Sequence, residues 1–125
     1  MNYKGYKDLE CYKHARELRI YVSTLVKKLL IEEKFLLRSQ IIRSSRAITA
    51  NIAEGYGRWS YADTKKNFII ARGSVTETME HFTTAYDEKY ILESELEAGE
   101  QQCEAVFRLI NGYISWLERS KNVKN

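Results

Sequence analysis

Four runs of residues in this chain repeat at alternating spacings of three and four, and nothing else constrains its fold as strongly. Cys11, Ala15, Leu18, Val22, Leu25 and Leu29 form the first run. Leu37, Ile41, Ser44, Ile48, Asn51 and Gly55 form a second, more polar one. The third passes through Thr64, Phe68, Ala71, Val75, Thr78, Phe82 and Ala85, widened by Met79 and Tyr86. The fourth passes through Leu96, Gly99, Cys103, Val106, Ile110, Tyr113 and Leu117. Such spacing keeps each run on one stripe of an α-helix. The chain has no proline and only six glycines, so few residues are available to interrupt these helices.

Short breaks separate the runs at 31–34, at the Gly55-Tyr56-Gly57 turn, and from Asp87 to Leu92. Ser60 followed by Asp63 has the spacing of a capping box, in which a hydroxyl takes an orphan amide hydrogen and an acid sits at the positive end of the helix. A helix is therefore predicted to begin near Tyr61. The expected helices cover residues 8–30, 35–56, 61–86 and 93–119. Connections this short make consecutive helices antiparallel, and a sustained three-four pattern packs helices at crossing angles of about 20°. The prediction is an all-α, antiparallel up-down-up-down four-helix bundle. Its 125 residues fit one domain, residues 1–125, and argue against a two-domain enzyme.

The second helix carries Ile42, Ala47, Ala50, Ile52 and Ala53 beside its core stripe, so apolar or small residues occupy much of its circumference. That pattern predicts burial on more than one side. A subunit interface is expected there, with Ala50 and Ala53 permitting close approach. The start of the chain has no apolar leader segment, and its longest aliphatic runs fall far short of the roughly 20 residues a membrane span needs. A cytoplasmic protein without membrane contact is expected. Cys11 and Cys103 are too few for a disulfide framework and lie on core stripes, where reduced, unreactive thiols are expected.

Charge is distributed unevenly. Residues 1–59 hold twelve basic and six acidic side chains, whereas residues 60–125 hold eight basic and eleven acidic ones. Seven acids fall between Asp87 and Glu104, with Lys89 the sole cation in that stretch. One part of the molecule is therefore basic and another acidic, which suits polar subunit contacts, a polyanionic partner or simply solvated helix faces.

The stretch from Ser39 to Arg58, with Asn51-Ile52-Ala53-Glu54-Gly55 at its centre, resembles the signature of a bacterial four-helix-bundle family. That family is named after proteins encoded in intervening sequences of 23S ribosomal RNA genes. Tyr6-Lys7-Asp8-Leu9-Glu10 with Ala15 and Glu17-Leu18 is similar to its opening helix. Phe68 to Ala71, Gly73-Ser74-Val75 and Glu77 are similar to its third, so the resemblance spans about residues 5–117. Thr49 and Ala50 stand where many relatives place a proline, and a straighter second helix is expected. The resemblance implies a ring-like homo-oligomer, a pentamer, with no enzymatic activity. A distant branch of the family implies an accessory role that binds a reverse transcriptase and nucleic acid through basic surface.

Arg38, Arg43, Arg46, Arg58, Lys65, Lys66 and Arg72 cluster in sequence from the second helix into the third. Guanidinium forks suit phosphate oxygens, and these seven are the candidate contacts to RNA or DNA. Arg58 follows Glu54 by one turn and is also placed to pair with it. Arg43 and Arg46 are alternatively placed to meet the acidic 87–104 region of a neighbouring subunit. The turn around Trp59 and Tyr61 interleaves aromatics with a guanidinium, an arrangement suited to stacking bases or to packing at a junction or subunit contact. Ile42, Ala50, Ala53, Trp59 and Tyr61 are the candidate oligomer contacts.

Catalytic constellations are absent from the sequence pattern. Neither histidine follows a glutamate by three residues, as a di-metal bundle requires: Cys11 precedes His14 and Thr78 precedes His81. Cys11, His14, His81 and Cys103 lack the close cysteine pairing of structural zinc sites. The gap from Arg72 to His81 is too wide for the Arg-His spacing of helical ribonucleases. No glycine-rich phosphate loop is present. The reading is a non-enzymatic bundle without cofactor, associated with nucleic acid or a nucleoprotein partner; a protein-interaction module without nucleic-acid affinity is the competing class.

Overall fold

A computed structural model of the chain describes residues 5–29 and 34–124. Among these residues the secondary structure is helical, with no strand. After a 3-10 turn at Tyr6–Asp8, helix α1 spans Glu10–Leu25, α2 spans Lys34–Tyr56, α3 spans Tyr61–Asp87 and α4 spans Glu93–Lys124. The helix expected over 8–30 is shorter, because α1 tightens into a 3-10 turn at Val26–Lys28. Residues 30–33, which carry the end of that helix and most of the break expected at 31–34, lie outside the described residues. The fourth helix runs past the expected 119 to Lys124. Each helix packs on two others: α2 on α1 and α3, and α4 on α3 and α1. The result is a four-helix bundle.

The stripes supply the core. Leu18, Val22, Ile48, Phe68, Val75, Phe82, Val106 and Ile110 are fully buried. Toward their C-terminal ends α2 and α4 bury Ile52 and Ile114, one residue beyond the Asn51 and Tyr113 of the three-four pattern. A helix of 3.6 residues per turn drifts about 20° per heptad against a strict 3.5 repeat, and the drift moves the buried position by one residue. It also explains part of the apolar circumference of α2, since Ile52 is core and Ile42 packs against the core from its edge.

Polar groups within the core are satisfied. The hydroxyls of Ser44 and Thr78 share a 2.8 Å hydrogen bond between α2 and α3, and Thr78 also donates to the Ser74 carbonyl at 2.8 Å. Among the described residues no buried side-chain nitrogen or oxygen lacks a partner. Burial pushes the Cys11 thiol up to about 11 and the Cys103 thiol up to about 12. A thiolate is the reactive form, so neither should react in the folded state near neutral pH. Thiol-reagent titration is expected to show no fast-reacting cysteine in native protein and two after denaturation. A fast native phase would overturn this.

Helix ends are built locally. The Ser60 hydroxyl accepts from the Asp63 amide at 3.1 Å and caps α3 at its predicted start. Such a cap contributes about 1 kcal/mol. At the other end of α3, Lys89 adopts φ 65°. The Tyr90 amide donates to the Ala85 carbonyl at 2.8 Å and the Lys89 amide to that of Tyr86 at 2.9 Å. This is the Schellman arrangement, here made without glycine. Helix α4 then opens with the Glu95 carboxylate accepting from the Leu92 amide at 2.8 Å, the acidic half of a capping box. Burial opposes ionisation of Glu95, but the Leu92 amide and the Lys28 ammonium, 2.5 Å away, outweigh it and hold the carboxyl below its usual range.

Candidate nucleic-acid interface

The seven basic residues that cluster in sequence do not converge in space. Successive positions on a helix turn by 100°, so neighbours in sequence face different sides. Arg43 lies on the α2–α3 seam and pairs with Glu77 at 3.0 Å, and the same carboxylate meets His81 Nε2 at 3.2 Å. Arg58 pairs with Glu54 one turn earlier. On the α3–α4 seam, Lys65 pairs with Glu118 at 2.8 Å and Arg72 donates to the Asn111 side-chain oxygen at 2.8 Å. Hydrogen bonding to Glu118 holds the Lys65 ammonium above its usual range. Arg38, Arg46 and Lys66 make no ion pair among the described residues. Arg46 faces the α1–α2 side, where it lines a surface depression with Arg19, Ala50 and Ala53.

Residues Asn51 to Gly55, the centre of the sequence signature, hold the α2–α3 turn together. The Asn51 amide donates to the Ala47 carbonyl at 2.9 Å, and its oxygen accepts from the Asn67 amide at 3.2 Å. Arg58 Nε then donates to the Asn67 oxygen at 3.3 Å while the guanidinium reaches Glu54. Gly55 is buried where a Cβ would lie 2.8 Å from Asn67 Cβ and 2.9 Å from the Phe68 ring. These residues close a helix hairpin; their polar groups are spent on one another.

The candidate oligomer contacts fare differently from one another. Ile42 is half-buried against the core, Ala53 is half-buried and Ala50 is exposed. Trp59 is fully exposed at the tip of the α2–α3 turn. Tyr61 is half-buried and carries Lys65 and Lys121 ammonium groups 5.8 and 4.7 Å from its ring centre. The reading of Trp59 as packed into a helix junction of its own chain is therefore corrected, because the short turn projects it away from every helix.

Grouping cations by sequence proximity overlooks α1. Arg16 and Arg19 lie on the same side as Arg46, and the signal was available in the four-three spacing of Tyr12, Arg16 and Arg19 beside the core stripe. Cys11, His14, His81 and Cys103 do not come together. Among the described residues no group of three or more histidine, cysteine or acidic side chains is placed to hold a metal ion. No helix among them is long and apolar enough to cross a membrane.

Fold and site define a small four-helix bundle whose signature residues close a turn and whose distinctive surface chemistry is charge. A family model described as 23S rRNA-intervening sequence protein matches residues 7–112, and the chain belongs to that family. It is similar to a crystal structure of a protein of unknown function from the S23 ribosomal protein family of Bacteroides thetaiotaomicron. The identity is 27% and the TM-score 0.78, with 83% of this chain and 97% of that one covered. No curated protein matches the chain.

Proposed function

We propose that this protein is a non-enzymatic, self-assembling bundle that associates with RNA or DNA through a basic surface. The helices take an antiparallel up-down-up-down course in this reading. The order of contacts supports it, since Arg43 meets Glu77 while Asn51, further along α2, meets Asn67, earlier in α3.

Charge segregation carries the functional reading. Glu93, Glu97, Glu100 and Glu104 follow at four-three-four spacing along α4 and make no ion pair among the described residues. Lys7, Arg16, Arg38 and Arg46, in or near α1 and α2, are likewise without one. Ion pairs among the described residues neutralise neither set, and uncompensated cations attract a polyanion and release its counterions. Assembly is the second part of the proposal. The exposed Trp59 at the tip of the α2–α3 turn supports it.

Retention on ribosomal RNA and on heparin, measured between 50 and 200 mM salt, tests the reading. Binding should weaken linearly on logarithmic axes as salt rises. Absence of any retention at the low end would overturn the nucleic-acid part. Sedimentation of a strict monomer at micromolar concentration would overturn assembly.

A further inference from the structure

Two adjoining depressions of about 680 and 380 Å³ share Tyr6, Tyr12 and Arg19 in their walls; the larger is lined by the Tyr6–Asp8 turn and α1, and the smaller opens on the α1–α2 seam. Together they form a groove. Lys7, Lys13, Arg16 and Arg19 line it from the first helical segment and Arg46 lines it from α2, while Glu17 is its only acidic wall residue. Lys13 is paired with Glu10 at 3.3 Å, but Lys7, Arg16 and Arg46 make no ion pair among the described residues.

Arg19 separates this groove from the ion-paired basic positions Arg43, Arg58 and Lys65, and shares with Arg72 a neutral hydrogen-bond partner. Its Nη1 donates to the Thr49 hydroxyl at 3.1 Å, and that hydroxyl donates in turn to the Arg46 carbonyl at 3.1 Å. Thr49 is buried, so the guanidinium is held in place by a fixed, neutral partner. Arg43 and Arg58 are held by carboxylates and have their charge cancelled. Arg19 is oriented and keeps its charge, along with the donors that suit phosphate oxygens. Ala50 and Ala53 line the α2 side without bulky side chains, leaving room for a backbone to approach.

We propose that the α1–α2 groove is a binding site for the sugar-phosphate backbone of a nucleic acid strand, with Arg16, Arg19 and Arg46 as its principal phosphate contacts. The inference rests on the nucleic-acid reading above and names its site. Along α1 from Tyr12 to Arg19 the groove wall spans about 10 Å at about 1.5 Å per residue. A strand presents one phosphate per about 3.4 Å in a duplex, so about three phosphates match that length. Contacts of this kind fix affinity and register without reading sequence.

The test compares wild type with Arg16→Glu/Arg46→Glu and with Lys65→Glu/Lys66→Glu on α3, outside the groove. Single-stranded RNA, single-stranded DNA and RNA duplex serve as separate probes across a salt series. The groove variant is expected to lose at least about tenfold in affinity at 50 mM salt and to show a shallower salt slope by about 1.4 to 1.8, since each of the two phosphate contacts contributes about 0.7 to 0.9. The α3 variant should keep both within about twofold, and Arg16→Lys/Arg46→Lys should retain most of the slope because it keeps the charge. Unchanged helical circular dichroism and melting temperature would show the groove variants folded, as expected for Arg16 and Arg46, which make no ion pair among the described residues; the α3 variant loses the Lys65–Glu118 pair and is checked for folding in the same way. Wild-type binding that the groove variant retains would overturn the groove assignment and leave the nucleic-acid reading standing. No wild-type binding to any probe would overturn both. If the groove variant instead altered only sedimentation, the groove would be a subunit contact and the assignment would fail.

Discussion

Phe68→Ala is expected to lower the free energy of unfolding by about 3–5 kcal/mol, the range for removing a large aromatic side chain from a packed core. The Phe68 ring is fully buried on α3, lies over buried Gly55 of α2 and stacks on Tyr113 of α4 at 4.4 Å with planes 23° apart. Three helices therefore lose a contact at once. The aromatic pair adds about 0.5–1.5 kcal/mol beyond the buried area, and neither Gly55 nor Tyr113 can move into the space without moving its helix. Denaturant titration followed by circular dichroism measures the loss; a change below 1 kcal/mol would mean that Phe68 is not seated as described. A spectroscopic readout accompanies it. Burial pushes the Tyr113 phenol up from 10.0 to about 12, with the neighbouring Cys11 and Tyr56 adding to the effect. Without Phe68 one face of that ring opens to water, and its ultraviolet titration midpoint should fall toward 10. The same shift makes folded protein lose stability as pH rises through 10 toward 12, because the unfolded chain ionises this tyrosine first.

What the sequence disclosed and what it withheld divide along a physical line. Burial follows from helical periodicity, so the three-four runs alone mark Leu18, Val22, Ile48, Phe68, Phe82 and Val106 as core, where the structure buries them. The fate of a charge depends on what lies across a seam, and that is remote in sequence. Glu77 is 34 residues from Arg43 and Glu118 is 53 from Lys65. Among the seven candidate cations, Arg58 alone has its ion-pair partner, Glu54, one turn away where sequence spacing could anticipate it. The basic cluster therefore looked continuous and is dispersed over three sides, while Arg16 and Arg19 of α1 join Arg46 of α2 across a seam. The α3–α4 turn was similarly opaque, because it places Lys89 at φ 65° where a glycine would have announced the bend. The signature around Asn51 and Gly55 was legible as a motif, but its work in closing a hairpin emerges only from the partners Asn67 and Phe68.

One substitution, glycine to alanine, is expected to have opposite signs at different helical positions of this chain. In an open helix interior alanine is favoured over glycine by about 0.5–1 kcal/mol, because glycine loses more backbone freedom on folding. Gly73 in α3 and Gly112 in α4 have nothing within 4 Å of an added Cβ, so each replacement should stabilise by that amount. At Gly55 the added Cβ would lie 2.8 Å from Asn67 Cβ and 2.9 Å from the Phe68 ring. Neither neighbour is the free end of a flexible chain: Asn67 is tied to Asn51 and Arg58, and Phe68 is the centre of the core. Overpacking of this kind costs about 1–3 kcal/mol and exceeds the gain in helix propensity. Gly55→Ala should therefore destabilise by about 1–2 kcal/mol after that offset. Gly55 and Phe68 couple, since shrinking Phe68 relieves its share of the clash and leaves the contact with Asn67 Cβ. In a Phe68→Leu background Gly55→Ala should cost less by at least 0.5 kcal/mol, the lower range for residues in contact. A double-mutant cycle by denaturant titration reads the difference. Additive values would show that the close approach of α2 and α3 is set by something other than the seat of Phe68 on Gly55.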